Sequence, residues 1–219
     1  MDAAQAADFI VTNTARARPP LCPEVELWLA TELTPLWTAT AEVLANVDPL
    51  PFWAFAWPGG QALARHLLDH PSLVTGRRVL DFAAGGAIAA IAAMLAGARR
   101  ALASDTDPLC AVAGNLNARL NGVTLTTTAD DLLGGDAGGA EVVLAGDIFY
   151  ERATAESAMA WFGALAARGV LVLVGDPGRI YSPRDGLEVL AAYDVPTSRE
   201  LEDGDSRLTT VARVLPRTG

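Results

Sequence analysis

Short apolar runs alternate with segments of helical patterning from residue 78 onward. Runs of apolar and β-branched residues predict strands, and apolar positions that recur every three or four residues predict helices. Strands are predicted over residues 78–82, 100–105, 124–128, 141–146 and 170–175. Helices are predicted over residues 88–96, 108–121, 153–167 and 187–193. Strands that alternate with helices in this way form a mostly parallel sheet with helices on both faces.

The end of the chain follows a different pattern. Residues 197–202 and 208–215 are predicted to pair as a hairpin around Asp203-Gly204. This hairpin adds an antiparallel edge and brings the predicted sheet to seven strands. The predicted fold class is therefore α/β, a doubly wound, Rossmann-like domain whose mostly parallel sheet ends in an antiparallel hairpin.

The first 50 residues form a separate compositional unit. Residues 24–30 and 35–45 are predicted to be two short helices, with Pro35 in the first turn of the second. An aromatic-rich connection over residues 51–60 leads to a predicted amphipathic helix over residues 61–70. We therefore expect a helical extension at residues 1–50 and an α/β domain at residues 51–219.

Acidic residues stand at the end of every predicted parallel strand. In an open parallel sheet, ligands bind outside the carboxyl ends of the strands. Each acidic residue also has a structural alternative, as a helix cap, a turn residue or a solvated loop residue. We expect them nevertheless to meet at one edge of the sheet; they are Asp81, Asp105, Asp130 with Asp131, Asp147, and Asp176.

The turn after the first of these strands consists only of small residues, Ala83 to Ala87. Such a turn lets a ligand approach the backbone beside a helix N-terminus. Asp105 lies 24 residues after Asp81, where a carboxylate can accept hydrogen bonds from ribose hydroxyls. A third carboxylate, at Asp130, is suited to the exocyclic amine of adenine. These positions together predict a nucleoside site.

The turn lacks the G-x-G-x-x-G pattern of pyrophosphate binders. Asp81, directly before it, would repel a pyrophosphate and attract an ammonium or sulfonium group. The predicted cofactor is therefore S-adenosylmethionine rather than NAD, and an NAD-dependent oxidoreductase is the weaker alternative.

Composition narrows the function classes further. The chain has 219 residues, of which 51% are hydrophobic, and this suits one domain with a modest extension. A net charge of −10 disfavours binding to nucleic acid. Its 16 basic residues are all Arg, which excludes a P-loop lysine, a Schiff-base lysine and a lysine general base.

The sequence also gives expectations about the cellular location of the protein and about metal binding. The apolar runs are too interrupted for a membrane span, and the N-terminus does not resemble a signal peptide. Two cysteines suit a reducing compartment, so we expect a cytoplasmic protein with no membrane partner. His66 and His70 lie one helical turn apart, but no third ligand is evident, and no metal site is predicted.

Several stretches of the chain resemble class I, seven-strand methyltransferases that depend on S-adenosylmethionine. These stretches are VLDFAAGGAIAAIAAMLAGARRALASDTDPLCAVAGNLNARLNGV at residues 79–123 and VVLAGDIFYE at residues 142–151. Two further stretches resemble the electron transfer flavoprotein beta-subunit lysine methyltransferases and their bacterial relatives more specifically. They are FIVTNTARARPPLCPEVELWLATELTPLWTAT at residues 9–40 and PFWAFAWPGGQALARHLL at residues 51–68.

The resemblance implies a protein lysine methyltransferase whose substrate is the beta subunit of electron transfer flavoprotein. It implies that Asp81, Gly85 and the neighbouring turn backbone, with Ala83, hold the amino acid portion of the cofactor. It also implies that Asp105 binds the ribose, that Asp130 (or Asp131) lies by the adenine, and that Trp57 packs against the pocket. Asp147 and Tyr150 would face the incoming amine, with Asp147 binding its ammonium form.

Ala83 and Ala87 depart from the family pattern, which usually has glycine at both positions. If the backbone there needs a positive φ, the added methyl groups are expected to weaken cofactor binding. This departure motivates one alternative, a non-catalytic binding protein on a decayed methyltransferase scaffold. Another alternative is a methyltransferase of the same fold that acts on a small molecule or a ribosomal protein.

Overall fold

The computed structural model describes residues 1–30, 51–197, 202 and 204–216. The N-terminal part contains one helix and a two-stranded antiparallel sheet, which are α1 (Ala3–Asn13), β1 (Ala15–Ala17) and β2 (Leu27–Leu29). The parallel part begins with α2 (Pro58–Asp69) and continues with β3 (Arg78–Phe82), α3 (Ile88–Leu95), β4 (Arg100–Ser104), α4 (Pro108–Leu120) and β5 (Thr126–Thr128). The remaining elements are β6 (Val142–Gly146), α5 (Arg152–Ala167), β7 (Leu171–Asp176), β8 (Leu187–Pro196) and β9 (Ser206–Val214).

The main sheet confirms the predicted fold class. Seven strands lie in the order β5-β4-β3-β6-β7-β9-β8. The first five of these pair in parallel, and β9 pairs antiparallel with both β7 and β8. From β3 the chain first moves outward to β5 and then returns to β6 on the other side of β3. The carboxyl ends of β3 and β6 therefore flank the point where strand order reverses, which is where ligands bind in such sheets.

Two of the predicted helices are wrong. Residues 187–193 belong to strand β8, which pairs with β9 along its length and has an irregularity between Val189 and Ala191. The Leu, Glu and Ala residues of this segment favour a helix locally, but pairing with β9 overrides that preference. The hairpin is therefore formed by residues 187–196 and 206–214 rather than by 197–202 and 208–215.

Residues 24–30 begin in a turn and continue into strand β2 at residues 27–29, instead of forming the predicted helix. The backbone N–H groups of Glu26 and Trp28 donate to the side-chain oxygens of Asn121 and Asn117, each at 2.8 Å. These contacts with α4 come from residues about 90 positions away, so the local pattern does not contain them. The predicted helix over residues 35–45 lies outside the described residues.

The described N-terminal residues share a core with the α/β domain. Ala6 and Ile10 of α1 are buried in one cluster with Trp53 and with Leu109 and Ala113 of α4. The Asp2 side chain accepts from the N–H groups of Ala4 and Gln5 and so caps α1. None of the helices in the described part of the chain combines the length and apolar character that crossing a membrane requires.

Helix α2 approaches the sheet closely enough for backbone to touch backbone. A Cβ atom added to Gly175 of β7 would lie 2.2 Å from the Gly59 carbonyl oxygen, and one added to Gly59 would lie 2.3 Å from the Gly175 oxygen. Only glycine fits at this contact. The contact holds the N-terminus of α2 against the carboxyl ends of β6 and β7.

Gly175→Ala is expected to lower the free energy of unfolding by about 3 kcal/mol or more, because two backbone segments must separate to admit the methyl group. The matched control is Gly122→Ala, at an exposed position with open space and a φ of 65°. There only backbone strain of about 1 kcal/mol is expected. Urea denaturation of both variants measures the difference, and equal losses would contradict the close contact.

Candidate active site

A cavity of about 760 Å³ opens at the carboxyl edge of the parallel strands. Its volume is within the roughly 300–1,000 Å³ of pockets that enclose small ligands. Most of the predicted acidic residues meet there, together with one more; the lining carboxylates are Asp81, Asp105, Asp107, Asp130, Asp131 and Asp147. Asp176 is not among the lining residues, and instead accepts hydrogen bonds from the Arg179 N–H and the Ser182 hydroxyl.

The turn of small residues is braced by two of these aspartates. The Asp105 Oδ2 accepts from the Gly85 N–H at 2.9 Å, and its Oδ1 accepts from the Asp107 N–H at 3.1 Å. The Asp81 Oδ2 accepts from the Ala90 N–H, in the first turn of α3, at 2.8 Å. The carboxylates thus fix the turn at the N-terminus of α3 and still line the cavity.

Ala83 and Ala87 both adopt positive φ, at 55° and 63°. The backbone therefore does need a positive φ at both alanines, the condition under which weaker cofactor binding is expected. A left-handed backbone costs a residue with a Cβ roughly 1–2 kcal/mol. Gly85, between them, also has a positive φ, of 51°. Ala87 is fully buried in the core beside α4, so its methyl group recovers part of this cost by packing.

Asp81 is a buried carboxyl group that is 2% exposed. Burial raises its pKa to about 7, the neighbouring Asp105 reinforces this, and the hydrogen bond from Ala90 opposes it. A cation in the cavity beside it would stabilise the ionised form. The group is therefore suited to a positively charged ligand.

The two aspartates after β5, Asp130 and Asp131, line the cavity and are exposed to solvent. The Asp130 carboxylate accepts from the Thr128 hydroxyl at 2.7 Å, and its backbone carbonyl accepts from the Ser104 hydroxyl at 3.0 Å. The Asp131 carboxylate accepts from the Leu133 N–H at 2.9 Å. Both acids line the cavity, so the choice between them for the adenine contact stays open.

Aromatic rings form another part of the cavity wall. Phe52 lies between Trp57 and Tyr150, with ring centroids 5.8 Å and 5.6 Å away, and the Trp57 indole N–H donates to the Phe52 carbonyl. Tyr150 is 52% exposed. Phe55 also lines the cavity, whereas Trp53 and Phe149 are fully buried and absent from the described lining.

Asp147 follows β6 in a left-handed conformation, with a φ of 57°. Its Oδ2 accepts from the N–H groups of Gly59 and Gly60 at 2.7 and 3.3 Å. Its Oδ1 accepts from Nε and Nη2 of Arg179 at 3.1 and 2.7 Å. Burial raises the pKa of Asp147 to about 6, although the Arg179 guanidinium and the Gly59 N–H lower it.

Arg179 is the functional candidate that the sequence analysis missed. It follows β7, lines the cavity, and also donates to the buried Glu202 at 2.6 and 3.1 Å. The sequence contains one signal for it, a cationic side chain directly after a strand whose end belongs to an acidic rim. Its partners lie 32 and 23 residues away, so the pairing itself requires the fold.

The two histidines of α2 contact each other, and His66 also contacts Tyr193 of β8. The His66 Nδ1 lies 3.0 Å from the Tyr193 hydroxyl, and the His70 Nδ1 lies 3.0 Å from the His66 carbonyl. Within the described ranges, no group of three or more His, Cys, Asp or Glu residues is arranged to hold a metal ion.

Two solved methyltransferases share this fold. The ribosomal protein L11 methylase of Lactobacillus delbrueckii subsp. bulgaricus superimposes with a TM-score of 0.51 at 20% identity, covering 73% of this chain and 81% of that one. Magnesium protoporphyrin IX methyltransferase from Synechocystis, solved with bound SAM, gives 0.50 at 18% identity and covers 71% and 77%. The fold of this chain is therefore that of the class I methyltransferases.

Sequence comparison gives the family within this class. The electron transfer flavoprotein beta subunit lysine methyltransferase of Danio rerio is 38% identical over 203 residues, which cover 90% of this chain and 78% of that protein. The Homo sapiens protein of the same name is 36% identical over 213 residues, covering 93% and 79%. A family model for ribosomal protein L11 methyltransferase (PrmA) matches residues 62–149. The chain belongs to the electron transfer flavoprotein beta subunit lysine methyltransferase family.

The raised pKa of Asp81 predicts a specific dependence of stability on pH. Its folded pKa of about 7 lies above the ordinary 3.8, so the folded state holds a proton that the unfolded state releases between these values. The free energy of unfolding contributed by this group therefore falls as pH rises from about 4 to 7.

Asp81→Asn removes this contribution. The difference in unfolding free energy between variant and parent is expected to shift in the variant's favour by roughly 1–3 kcal/mol between pH 5 and pH 8. Urea denaturation of the ligand-free proteins at one-unit intervals measures it. A constant difference across this range would show that Asp81 is ionised throughout.

Proposed function

We propose that this protein transfers a methyl group from S-adenosylmethionine to a lysine of the beta subunit of electron transfer flavoprotein. The observation that carries the proposal is the convergence of carboxylates around a side-chain-poor turn, in a chain whose relatives of that name match about nine-tenths of its length. Such a site suits a cationic nucleoside cofactor, and an acidic protein favours encounter with a basic substrate segment.

The residues present fit this cofactor. The buried carboxyl of Asp81 is suited to the amino group of its amino acid portion, beside the turn that contains Ala83 and Gly85. Asp105 is suited to the ribose hydroxyls, Asp130 to the adenine amine, and Trp57 to packing against the bound molecule. When bound, the cofactor supplies an electrophilic methyl group on a positively charged sulfur.

Asp147 and Tyr150 remain the residues that we propose to face the acceptor amine. Tyr150 is half exposed at the cavity wall, so its hydroxyl is available to orient an incoming amine. The Asp147 carboxylate already accepts four N–H donors, and a carboxylate offers about four acceptor sites. We therefore propose that Asp147 shapes the acceptor end of the cavity and is not a free anion awaiting an ammonium group.

Methylation of a ribosomal protein is the second candidate. The PrmA model matches residues 62–149, and ribosomal protein L11 methyltransferase of Pseudomonas aeruginosa is 42% identical over 101 residues, or 44% of this chain. The PrmA model match ends at residue 149, before β7 and Arg179, whereas the matches to the beta subunit relatives cover about nine-tenths of the chain. The longer match favours the flavoprotein substrate, and the cytoplasm stays the predicted location.

The test is incubation with methyl-labelled cofactor and either the purified flavoprotein beta subunit or ribosomal protein L11 from the same organism. We expect labelled lysine in the beta subunit, identified by mass spectrometry. Because the chain itself contains no lysine, every labelled lysine comes from the substrate. Label in L11 alone would replace the proposal by the second candidate, and a folded protein that binds no cofactor would support the decayed scaffold.

Asp105→Ala is expected to weaken binding of S-adenosylhomocysteine roughly ten- to a hundredfold, because hydrogen bonds to a charged group contribute about 1.5–3 kcal/mol. Isothermal titration calorimetry measures the change. Asp194→Ala, at an exposed position on β8, is the matched control and should bind like the parent. If Asp105→Ala also binds normally, the ribose assignment is wrong.

A further inference from the structure

Arg179 is the one cationic side chain among the described residues that line the cavity. It lies beside Asp147, at the end of the cavity that the proposed function assigns to the acceptor amine. Its side chain is only 18% exposed, and that of Asp147 is 13% exposed. An ion pair this sheltered from water acts strongly on the charge of any group placed next to it.

The geometry holds Arg179 rigidly between two carboxylates. Its Nε and Nη2 donate to Asp147, while Nη1 and Nη2 donate to Glu202, whose side chain is 2% exposed. Arg207 of β9 also pairs with Glu202, at 3.2 Å. The Arg179 guanidinium lies 5.8 Å from the centre of the Trp57 ring, and its backbone N–H donates to Asp176.

The charged groups in contact with Arg179, directly or through Glu202, come from several elements. Asp147 follows β6, Asp176 ends β7, Arg207 belongs to β9, and Glu202 precedes β9. The other titratable groups that line the cavity are Asp81, Asp105, Asp107, Asp130, Asp131 and Tyr150. Arg179 is the member that touches Asp147 directly.

A free carboxylate at Asp147 would have a cost for methyl transfer to an amine. An opposite charge at about 4–6 Å favours the charged form of a titrating group, and the ammonium form of lysine has no lone pair with which to attack. An unperturbed lysine, with a pKa of about 10.4, is already almost entirely protonated at neutral pH. A free carboxylate beside this lysine would raise the pKa of its amine further and so make the neutral, reactive amine scarcer still.

We propose that Arg179 is a positioning residue that neutralises Asp147, so that the acceptor lysine is held at this end of the cavity as the neutral amine. This inference rests on the proposed lysine methylation and extends it to the origin of the nucleophile. The Asp147 oxygens are filled by Gly59, Gly60 and Arg179, so the incoming ammonium finds no free carboxylate. The like charge of Arg179 further disfavours the ammonium form, and the proton leaves to water before the amine lone pair attacks.

The test compares two pH profiles, one that reports the protonation of the bound lysine amine and one that reports the protonation of the free amine. At saturating substrates, the single-turnover rate follows the protonation state of the bound amine, whereas kcat/KM follows the free amine and the free enzyme. Arg179→Gln is expected to move the rising limb of the single-turnover rate to higher pH by about one unit or more. The limb of kcat/KM is expected to keep its position on the pH axis.

Glu202→Gln provides the opposite change. It removes a negative charge from the far side of Arg179 while keeping a hydrogen-bond acceptor, so the limb should move to lower pH, by less than the shift in Arg179→Gln. Damage to the fold would not displace the limb in opposite directions for the two variants. Arg213→Gln, at an exposed ion pair with Glu188 on the hairpin, is the matched control and should leave the limb unchanged.

Arg179→Lys keeps the charge and loses the two-pronged contact. We expect a lower single-turnover rate whose rising limb stays at the parental pH. If Arg179→Gln does not fold, Arg179→Lys is compared with Glu202→Gln instead. Binding of S-adenosylhomocysteine, measured by calorimetry, should be the same in all four variants as in the parent.

Limbs that stay in place in both Arg179→Gln and Glu202→Gln, or that move in the same direction, would overturn the proposal. A parent enzyme that does not label the flavoprotein beta subunit would instead refute the proposed substrate. In that case the pH profiles are measured on the lysine-bearing protein that the parent labels in a lysate of the same organism.

Discussion

The contact between the Asp147 carboxylate and the N-terminus of α2 organises the active end of this molecule. The N–H groups of Gly59 and Gly60 have no partners within their own helix, and the carboxylate satisfies them where the helix dipole favours a negative charge. The same carboxylate then fixes Arg179 from the loop after β7. One side chain thus joins a helix and the ends of two strands, which is possible only because glycine lets α2 reach the sheet.

Burial of charge is the second constraint, and it explains why the site suits a cation. Asp81 and Asp147 both lie where desolvation raises their pKa, to about 7 and about 6. The protein neutralises Asp147 internally with Arg179, whereas among the described residues Asp81 is acted on by the Ala90 N–H and by the like charge of Asp105. A cation in the cavity therefore gains more at Asp81 than at Asp147, in agreement with our proposal that Asp81 holds the cofactor and Asp147 lies by the acceptor amine.

Much of the parallel core could be predicted from sequence because its signals are local. Apolar runs that end in aspartate placed β3, β4 and β6 within a residue of their observed bounds, and the small-residue turn marked the cavity. The β8 strand could not be found in this way, since its composition favours a helix and its partner strand begins only at Ser206. Arg179 was missed for a similar reason: its role depends on Asp147 and Glu202, which only the folded sheet brings to it.

The choice of arginine at position 179 follows from the chemistry of the site. A lysine there would carry the same charge, but its compact ammonium group lacks the planar fork that contacts Asp147 and Glu202 together. The guanidinium stays charged at every pH relevant to the protein and bridges two carboxylates with its planar fork. A chain that contains no lysine at all presents no competing acceptor side chain of that kind. The one cation in the described wall of the cavity can then act on the substrate's amine without becoming a substrate.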